Sequence, residues 1–267
     1  MPVGITPQGH HFYLTTILYV QNSFSKWPHF YSIKLILFIM KKLVILICCL
    51  CLTCLAEAQM VQAYQWANIQ RYASQNDSLR AAQGSARVVF LGNSITQLWV
   101  TKHPSFFQEN GYTGRGISGQ TSSQFLLRFR EDVLKLKPQV LVLNAGTNDI
   151  AENAGEYKEE MTLGHICSMV ELAQAHQIRV VLTSVLPAAR FRWCPEVAPV
   201  ERIRSLNGRL KAYAEAHGIP FVDYYAAMVN PSDGSLPYAD DGVHPTVEGY
   251  LIMESLIHPV VEGMLKP

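Results

Sequence analysis

The sequence predicts an α/β protein with helices on both faces of a parallel sheet. Short apolar runs at 88–91, 140–143 and 179–183 are typical of strands that are buried on both sides. Helix-like stretches separate these runs, and this alternation favours right-handed crossovers between parallel strands. The composition agrees, since 267 residues with 49% hydrophobic and 16% charged residues are typical of a globular protein.

The first 58 residues differ in character from the rest. The apolar run Leu43–Leu55 follows the charged pair Lys41-Lys42 and precedes Ala56-Glu57-Ala58, an arrangement typical of a secretory signal and its cleavage site. We therefore expect a signal peptide at 40–58 and an exported protein, periplasmic or extracellular. Met40 is then the natural start, which makes residues 1–39 an upstream extension that arises from start assignment.

The apolar run is too short to predict a lasting membrane anchor. Thirteen helical residues span about 20 Å, whereas the hydrocarbon core is about 30 Å thick, so we expect no stable membrane span after cleavage. Two alternatives stay open. Ile33–Ile39 lengthens the run if Lys41 and Lys42 are tolerated, and Cys54 is a lipidation candidate although Thr53 stands where a small residue is usual.

After the signal, we expect a helical segment at 59–85 and one domain at 86–267. The helix of that segment covers 62–82, and Gly84-Ser85 closes it. A helix at 125–136 opens with the capping box Thr121-x-x-Gln124 and stops at Pro138. The remaining predicted elements are the strand 88–91, the strand 140–143, the helix 157–176, the strand 179–183, the helix 200–217, the strand 220–222 and the helix 247–265.

Charge and cysteine usage exclude several classes of function. The formal net charge is +1 and there is no long basic run, so we expect no nucleic-acid partner. Four of the six cysteines lie in the signal, and Cys167 and Cys194 lack any metal-binding spacing. Two unpaired thiols are the simpler interpretation of that pair, with one disulfide as the alternative. We expect neither a metal nor a cofactor.

The loops after the strands carry the residues for acyl transfer. In a parallel sheet these loops share one edge, where ligands bind. A serine hydroxyl needs an imidazole to take its proton, and the imidazole needs an acceptor on its other nitrogen. Ser94 follows the first strand, and Asp241 precedes His244 by three residues on a tight turn. Asp241 can therefore accept from Nδ1 of His244 while Nε2 faces Ser94.

Other residues offer competing assignments. Asp240 neighbours Asp241 but lacks the three-residue offset from His244, and we expect Asp149 to fix its loop rather than act as a base. The run Gly114–Gly119 matches G-x-G-x-x-G, a dinucleotide fingerprint. We do not adopt it, because 110–113 is a poor buried strand and the next strand ends at an asparagine rather than an acid.

Four motifs together resemble the blocks of the SGNH hydrolases, also called the GDSL esterase/lipase family. They are GNSIT with Ser94, GISGQT with Gly119, GTND with Asn148 and DGVHP with His244, in the family's order and spacing from about 88 to 265. The branch that they resemble most contains acetylhydrolases of platelet-activating-factor type and bacterial carbohydrate esterases. Asn93 departs from the pattern, since the family name has Asp there.

The resemblance implies a flavodoxin-like three-layer α/β/α fold and a role for each motif residue. Ser94 is the implied nucleophile, His244 its base and Asp241 the acid that orients His244. The implied oxyanion hole consists of Ser94, Gly119 and Asn148, and our own candidates for its donors are the backbone N–H groups of the first two and the side-chain amide of the third.

We therefore expect an exported serine esterase that removes short acyl groups, acetyl first, from small-molecule or carbohydrate esters. A lysophospholipase or thioesterase on the same scaffold is one alternative, and a non-catalytic carbohydrate-binding module is another. Arg190, Phe191 and Trp193 are the candidate substrate-binding residues, with Arg192 as an alternative to Arg190. The competing interpretation is that Phe191 and Trp193 only cover the core.

Overall fold

Five parallel strands form one sheet in the order β2-β1-β3-β4-β5. In this computed structural model, which describes residues 28–82 and 86–265, the order reverses beside β1 as in doubly wound sheets of the flavodoxin type. The predicted parallel α/β/α fold is confirmed. The strands are β1 Val88–Gly92, β2 Tyr112–Gly116, β3 Val140–Leu143, β4 Arg179–Thr183 and β5 Phe221–Val222.

Helices connect the strands and cover both faces of the sheet. In chain order the helices of the described part are α1 Pro28–Ala67, α2 Ala73–Ala81, α3 Ser94–Lys102, α4 Pro104–Asn110, α5 Ser122–Asp132, α6 Thr147–Ile150, α7 Glu159–Ala175, α8 Pro199–Ala216, α9 Tyr224–Met228 and α10 Val247–Leu265. A 3-10 turn at Leu134–Leu136 follows α5.

Each buried strand contributes to two cores, because successive side chains point to opposite faces of the sheet. Val89 and Leu91 of β1 pack on one face with α5, α7 and α8. Val88 and Phe90 pack on the other face with α3, α4, α9 and α10. This two-sided burial is the reason that β1, β3 and β4 are apolar without alternation.

The helix predicted at 62–82 is broken in the structure. α1 ends at Ala67 and α2 begins at Ala73, with Asn68 between them at a φ of 48°. Asparagine is one of the few residues that adopt this left-handed conformation readily, so it can end a helix within a helical pattern. The predicted end at Gly84-Ser85 and most of the upstream extension, residues 1–27, lie outside the described residues.

The Gly-rich run is partly a strand. β2 takes up Tyr112–Gly116 at the edge of the sheet, where a strand needs less apolar character. A Cβ at Gly116 would lie 2.2 Å from the backbone nitrogen of Gln97, so glycine lets β2 approach α3 closely. Gly116 therefore has a packing role between a strand and a helix.

The chain divides after Ala63 into two compact units. In the first unit, the 21-residue stretch Ser32–Leu52 is long and apolar enough to cross a membrane, and the mean hydropathy of its most apolar part is 2.7. This stretch exceeds the thirteen residues expected from the sequence because the helix continues through Lys41 and Lys42. A signal sequence near an N-terminus has the same properties, so this helix is compatible with both the signal and the anchor.

The two cysteines that follow the predicted signal are not paired. Cys167 and Cys194 both have free thiols. Cys194 donates to the carboxylate of Glu196 at 3.1 Å. Within residues 28–82 and 86–265, no group of three His, Cys, Asp or Glu side chains is placed to hold a metal ion.

Candidate active site

Ser94 is the first residue of α3, directly after the turn that ends β1. The side chain of Asn93 caps this helix, since its Oδ1 accepts from the backbone N–H of Ile95 at 2.9 Å. Asn93 is buried, and this hydrogen bond is of the kind that an aspartate at the same position would make. The departure from the family pattern at this position therefore leaves the serine turn intact.

A hydrogen-bonded chain joins Asp241, His244 and Ser94. Oδ2 of Asp241 lies 2.6 Å from Nδ1 of His244, and Nε2 of His244 lies 2.7 Å from Oγ of Ser94. A neutral imidazole has one N–H, so with Asp241 accepting at Nδ1 the lone pair at Nε2 faces the serine proton. The structure thus brings together three residues that the sequence predicts as neighbours, two of which are 150 positions apart.

The carboxylate of Asp241 is held in its charged form. Partial burial by itself raises its pKa, but hydrogen bonds from the backbone N–H and ring of His244 and from the N–H of Val243 outweigh burial and lower the pKa to about 2. The backbone bonds measure 2.8 Å to His244 and 2.9 Å to Val243. A charged carboxylate beside Nδ1 holds the imidazole ring in one orientation, with Nε2 toward Ser94.

Two long-range hydrogen bonds tie the serine helix to the histidine segment. Nζ of Lys102, in the last turn of α3, donates to the carbonyl of Pro245 at 2.8 Å. The hydroxyl of Tyr250 in α10 donates to the carbonyl of Ile95 at 2.8 Å. Ile95 and Pro245 directly follow Ser94 and His244 in sequence, so the two bonds help to hold the hydroxyl close to the imidazole.

The loops that carry Gly119 and Asn148 adjoin the serine turn. The N–H of Ile117 donates to the carbonyl of Gly92 at 3.2 Å, which joins the loop after β2 to the end of β1. Nδ2 of buried Asn148 donates to the carbonyl of Gln120 at 2.9 Å. An amide nitrogen carries two hydrogens, so this bond leaves Asn148 a second donor.

Asp149 holds the start of α5. Its carboxylate accepts from the backbone N–H of Ser122 at 3.0 and 3.1 Å and from the Ser122 hydroxyl. Burial raises the pKa of Asp149 in spite of these bonds. All of these contacts are with α5 rather than with Ser94, which agrees with the expected role in fixing the loop.

Arg128, which was not identified from the sequence, joins the end of β1 to the loop after β2 through hydrogen bonds to Gly92 and Gln120. Its fully buried guanidinium donates to the carbonyl of Gly92 at 2.9 Å, to Oε1 of Gln120 at 2.7 Å and to Asp132 at 2.8 Å. The sequence pattern could have revealed it, since Arg128 and Asp132 lie on the same face of the helix as the apolar positions 125, 129 and 133. A charged pair on an apolar stripe indicates a buried polar contact.

The 190–193 loop differs from the sequence prediction at one position. Phe191 is wholly buried in the core, so it presents no surface to a substrate, and the expectation that it walls a pocket is corrected. It supports Trp193, whose ring stacks on it at 5.1 Å and is 47% exposed. Arg190 is exposed, and the exposed Arg192 donates to the carbonyl of Asp240 at 3.2 Å.

Comparison with known proteins gives consistent results. The model of the GDSL-like Lipase/Acylhydrolase family matches residues 77–252. A Bacteroides fragilis protein assigned as an acylhydrolase is 57% identical, with a TM-score of 0.73 over 75% of this chain and 99% of that one. A GDSL-like lipase from Bacteroides thetaiotaomicron is 56% identical, with a TM-score of 0.71 over 74% and 98% of the two chains.

Two more distant relatives match a smaller share of this chain. An acetylxylan esterase from Geobacillus stearothermophilus is 21% identical, with a TM-score of 0.52 over 67% of this chain and 95% of that one, and this likeness concerns the fold alone. The uncharacterized lipoprotein YqeF of Bacillus subtilis is 33% identical over 75 residues. That match spans 27% of this chain and only 31% of the lipoprotein.

Proposed function

Because this chain belongs to the GDSL-like lipase/acylhydrolase family and is a carboxylic ester hydrolase, we propose that it is an exported serine esterase. Its proposed substrates are carbohydrates whose hydroxyl groups carry acetyl or other short acyl groups. The observation that carries the proposal is the hydrogen-bonded chain from Asp241 through His244 to Ser94. We assign these three residues as orienting acid, general base and nucleophile.

In the proposed reaction, Oγ of Ser94 attacks the ester carbonyl while Nε2 of His244 takes the hydroxyl proton. The carbonyl oxygen becomes an oxyanion, which accepts hydrogen bonds from the N–H groups of Ser94 and Gly119 and from Nδ2 of Asn148. By analogy with measured deletions, one such donor stabilises the transition state by about 2.7–4 kcal/mol.

The tetrahedral intermediate then collapses. Its bond to the alcohol oxygen breaks, and the His244 imidazolium gives its proton to that oxygen, which leaves an acyl group on Ser94. Water attacks this acyl-enzyme with His244 again as the base. The carboxylic acid leaves, and the proton returns to Oγ of Ser94, so the step consumes one water and restores the enzyme.

Several observations support the finer parts of the proposal. The exposed ring of Trp193 offers a flat apolar surface of the kind that stacks on sugar rings. The acetylxylan esterase of the same fold makes an acetylated sugar the first substrate to test. The apolar helix Ser32–Leu52 supports export. We retain the division into a signal peptide at 40–58, a helical segment at 59–85 and a hydrolase domain at 86–267.

Labelling with a fluorophosphonate tests the proposed nucleophile. We expect the wild type to form one covalent adduct, seen as a mass increase of the intact protein and located on the peptide that contains Ser94. The Ser94→Ala variant should remain unlabelled. Ser118, on the neighbouring loop, provides a control, and Ser118→Ala should label like the wild type. An adduct that persists in Ser94→Ala would contradict the assignment.

Replacement of Trp193 tests the proposed sugar contact. We expect Trp193→Ala to lower kcat/KM for an acetylated xylo-oligosaccharide about tenfold more than for ethyl acetate, because only the sugar ester has a ring to stack on the indole. The wild type should also show faster turnover of 4-nitrophenyl acetate than of the palmitate ester. An equal loss on the sugar ester and on ethyl acetate would indicate a packing role for Trp193, and preference for the long chain would favour a lipase.

A further inference from the structure

We propose that Asn153 is a positioning residue that fixes both Gly119 and Asn148 for oxyanion binding. This inference rests on the proposed function, since it takes those two residues as the oxyanion donors. Asn153 belongs to none of the four sequence motifs, and it lies in the turn after α6.

Asn153 contacts both candidate donor residues directly. Its Nδ2 donates to the carbonyl of Gly119 at 3.1 Å, and its backbone N–H donates to the carbonyl of Asn148 at 3.0 Å. Its Oδ1 accepts from Nε1 of Trp193 at 2.9 Å. One exposed asparagine thus joins the loop after β2, the loop after β3 and the indole of the 190–193 loop.

The backbone of Gly119 depends on hydrogen bonds for its position, because no neighbouring side chain in the described part of the protein packs against it. Its φ is 77°, it is exposed, and no heavy atom lies within 4 Å of the position that a Cβ would take. On the side before Gly119, Oε1 of Gln97 accepts from the N–H of Ser118 at 2.8 Å. On the other side, Asn153 donates a hydrogen bond to the Gly119 carbonyl. The backbone N–H of Gly119 lies between these two hydrogen bonds, which therefore fix its orientation.

Asn153 is itself anchored to rigid parts of the fold. The preceding residue, Glu152, has a left-handed backbone with a φ of 60°, and its carboxylate pairs with Arg202 of α8 at 2.7 Å. Such a conformation is unfavourable for glutamate unless the surroundings impose it. Trp193 in turn stacks on the buried ring of Phe191. Asn153 is therefore positioned by the Glu152–Arg202 ion pair on α8 and by Trp193, which packs on the core.

Donors of an oxyanion act on the transition state rather than on the bound substrate, so their misplacement lowers kcat more than it changes KM. A displacement of about 1 Å is enough to lower rates roughly 100-fold. A residue that only stabilised the fold would reduce the amount of active enzyme and leave the turnover of each active site unchanged. The kcat of each site therefore separates the two roles.

The experiment measures kcat per fluorophosphonate-reactive site and KM with 4-nitrophenyl acetate. For Asn153→Ala we expect kcat to fall about 10- to 100-fold with KM within about threefold of the wild type. Asn153→Asp keeps an acceptor for Trp193 but loses the amide donor and places a carboxylate beside the Gly119 carbonyl. We expect it to lose at least as much activity as Asn153→Ala.

Asn110→Ala is the matched control. It removes an amide-to-carbonyl hydrogen bond of the same kind, to Phe106 at 2.8 Å, at the end of α4 and before β2. Its kcat should stay within about twofold of the wild type. The inference is overturned if Asn153→Ala also stays within twofold, if it changes KM alone, or if Asn110→Ala loses as much. Hydrolysis that survives in Ser94→Ala would instead overturn the proposed function itself.

Discussion

His244→Ala is expected to lower kcat about 10⁴- to 10⁶-fold on any ester that the wild type hydrolyses. Without the imidazole, nothing in the hydrogen-bonded chain can take the proton of Ser94 or return it to the leaving alcohol. The remaining rate comes from the oxyanion donors and from binding. Steady-state kinetics with 4-nitrophenyl acetate measures this loss, with Ser94→Ala as the background of the assay.

The fold should persist in this variant. Asp241 still accepts from the backbone N–H groups of Val243 and His244, and Lys102 still binds the carbonyl of Pro245. His103→Ala is the control, because it removes another histidine–carboxylate pair, to Glu254 at 2.7 Å, that does not include Ser94. Turnover by His244→Ala near the wild-type value would remove His244 from the mechanism.

Arg128→Met is expected to have the largest effect on stability. The substitution leaves the carboxylate of Asp132 buried without its charged partner, a change that typically destabilises by about 3–5 kcal/mol. It also removes donors to Gly92 and Gln120. Urea unfolding should show a lower midpoint, and a large shift should leave only part of the protein folded at 37 °C.

A double variant separates the lost pair from lost packing. Arg128→Met with Asp132→Leu removes both charges, so it should recover part of the stability that Arg128→Met loses. Arg204→Met breaks an exposed pair with Glu201 and should leave the unfolding midpoint unchanged. An Arg128→Met protein that unfolds at the wild-type urea concentration would show that the buried pair does not contribute to stability.

Much of the sheet could be predicted from the sequence because its central strands are buried on both faces. Such strands are continuous apolar runs, and β1, β3 and β4 were recognisable for that reason. β2 was harder to define, since an edge strand rich in glycine carries no apolar signal. The break at Asn68 was missed because the helical pattern continues across it.

The candidate site was predictable where its residues come from short motifs. The loops of Ser94 and His244 follow from strand order and local spacing, and the structure places them within hydrogen-bonding distance. Their catalytic roles stay predictions. Asn153 and Arg128 act through contacts between segments that are distant in sequence, so no local pattern revealed their partners. The burial of Phe191 likewise depends on how its loop packs.

The hydroxyl and the imidazole come from opposite ends of the folded unit, and α10 closes over the helix that bears the hydroxyl. A chain still emerging from the ribosome carries Ser94 before His244, its proposed proton acceptor, has been made. If the two residues act as proposed, every form of the polypeptide that ends before His244 lacks esterase activity.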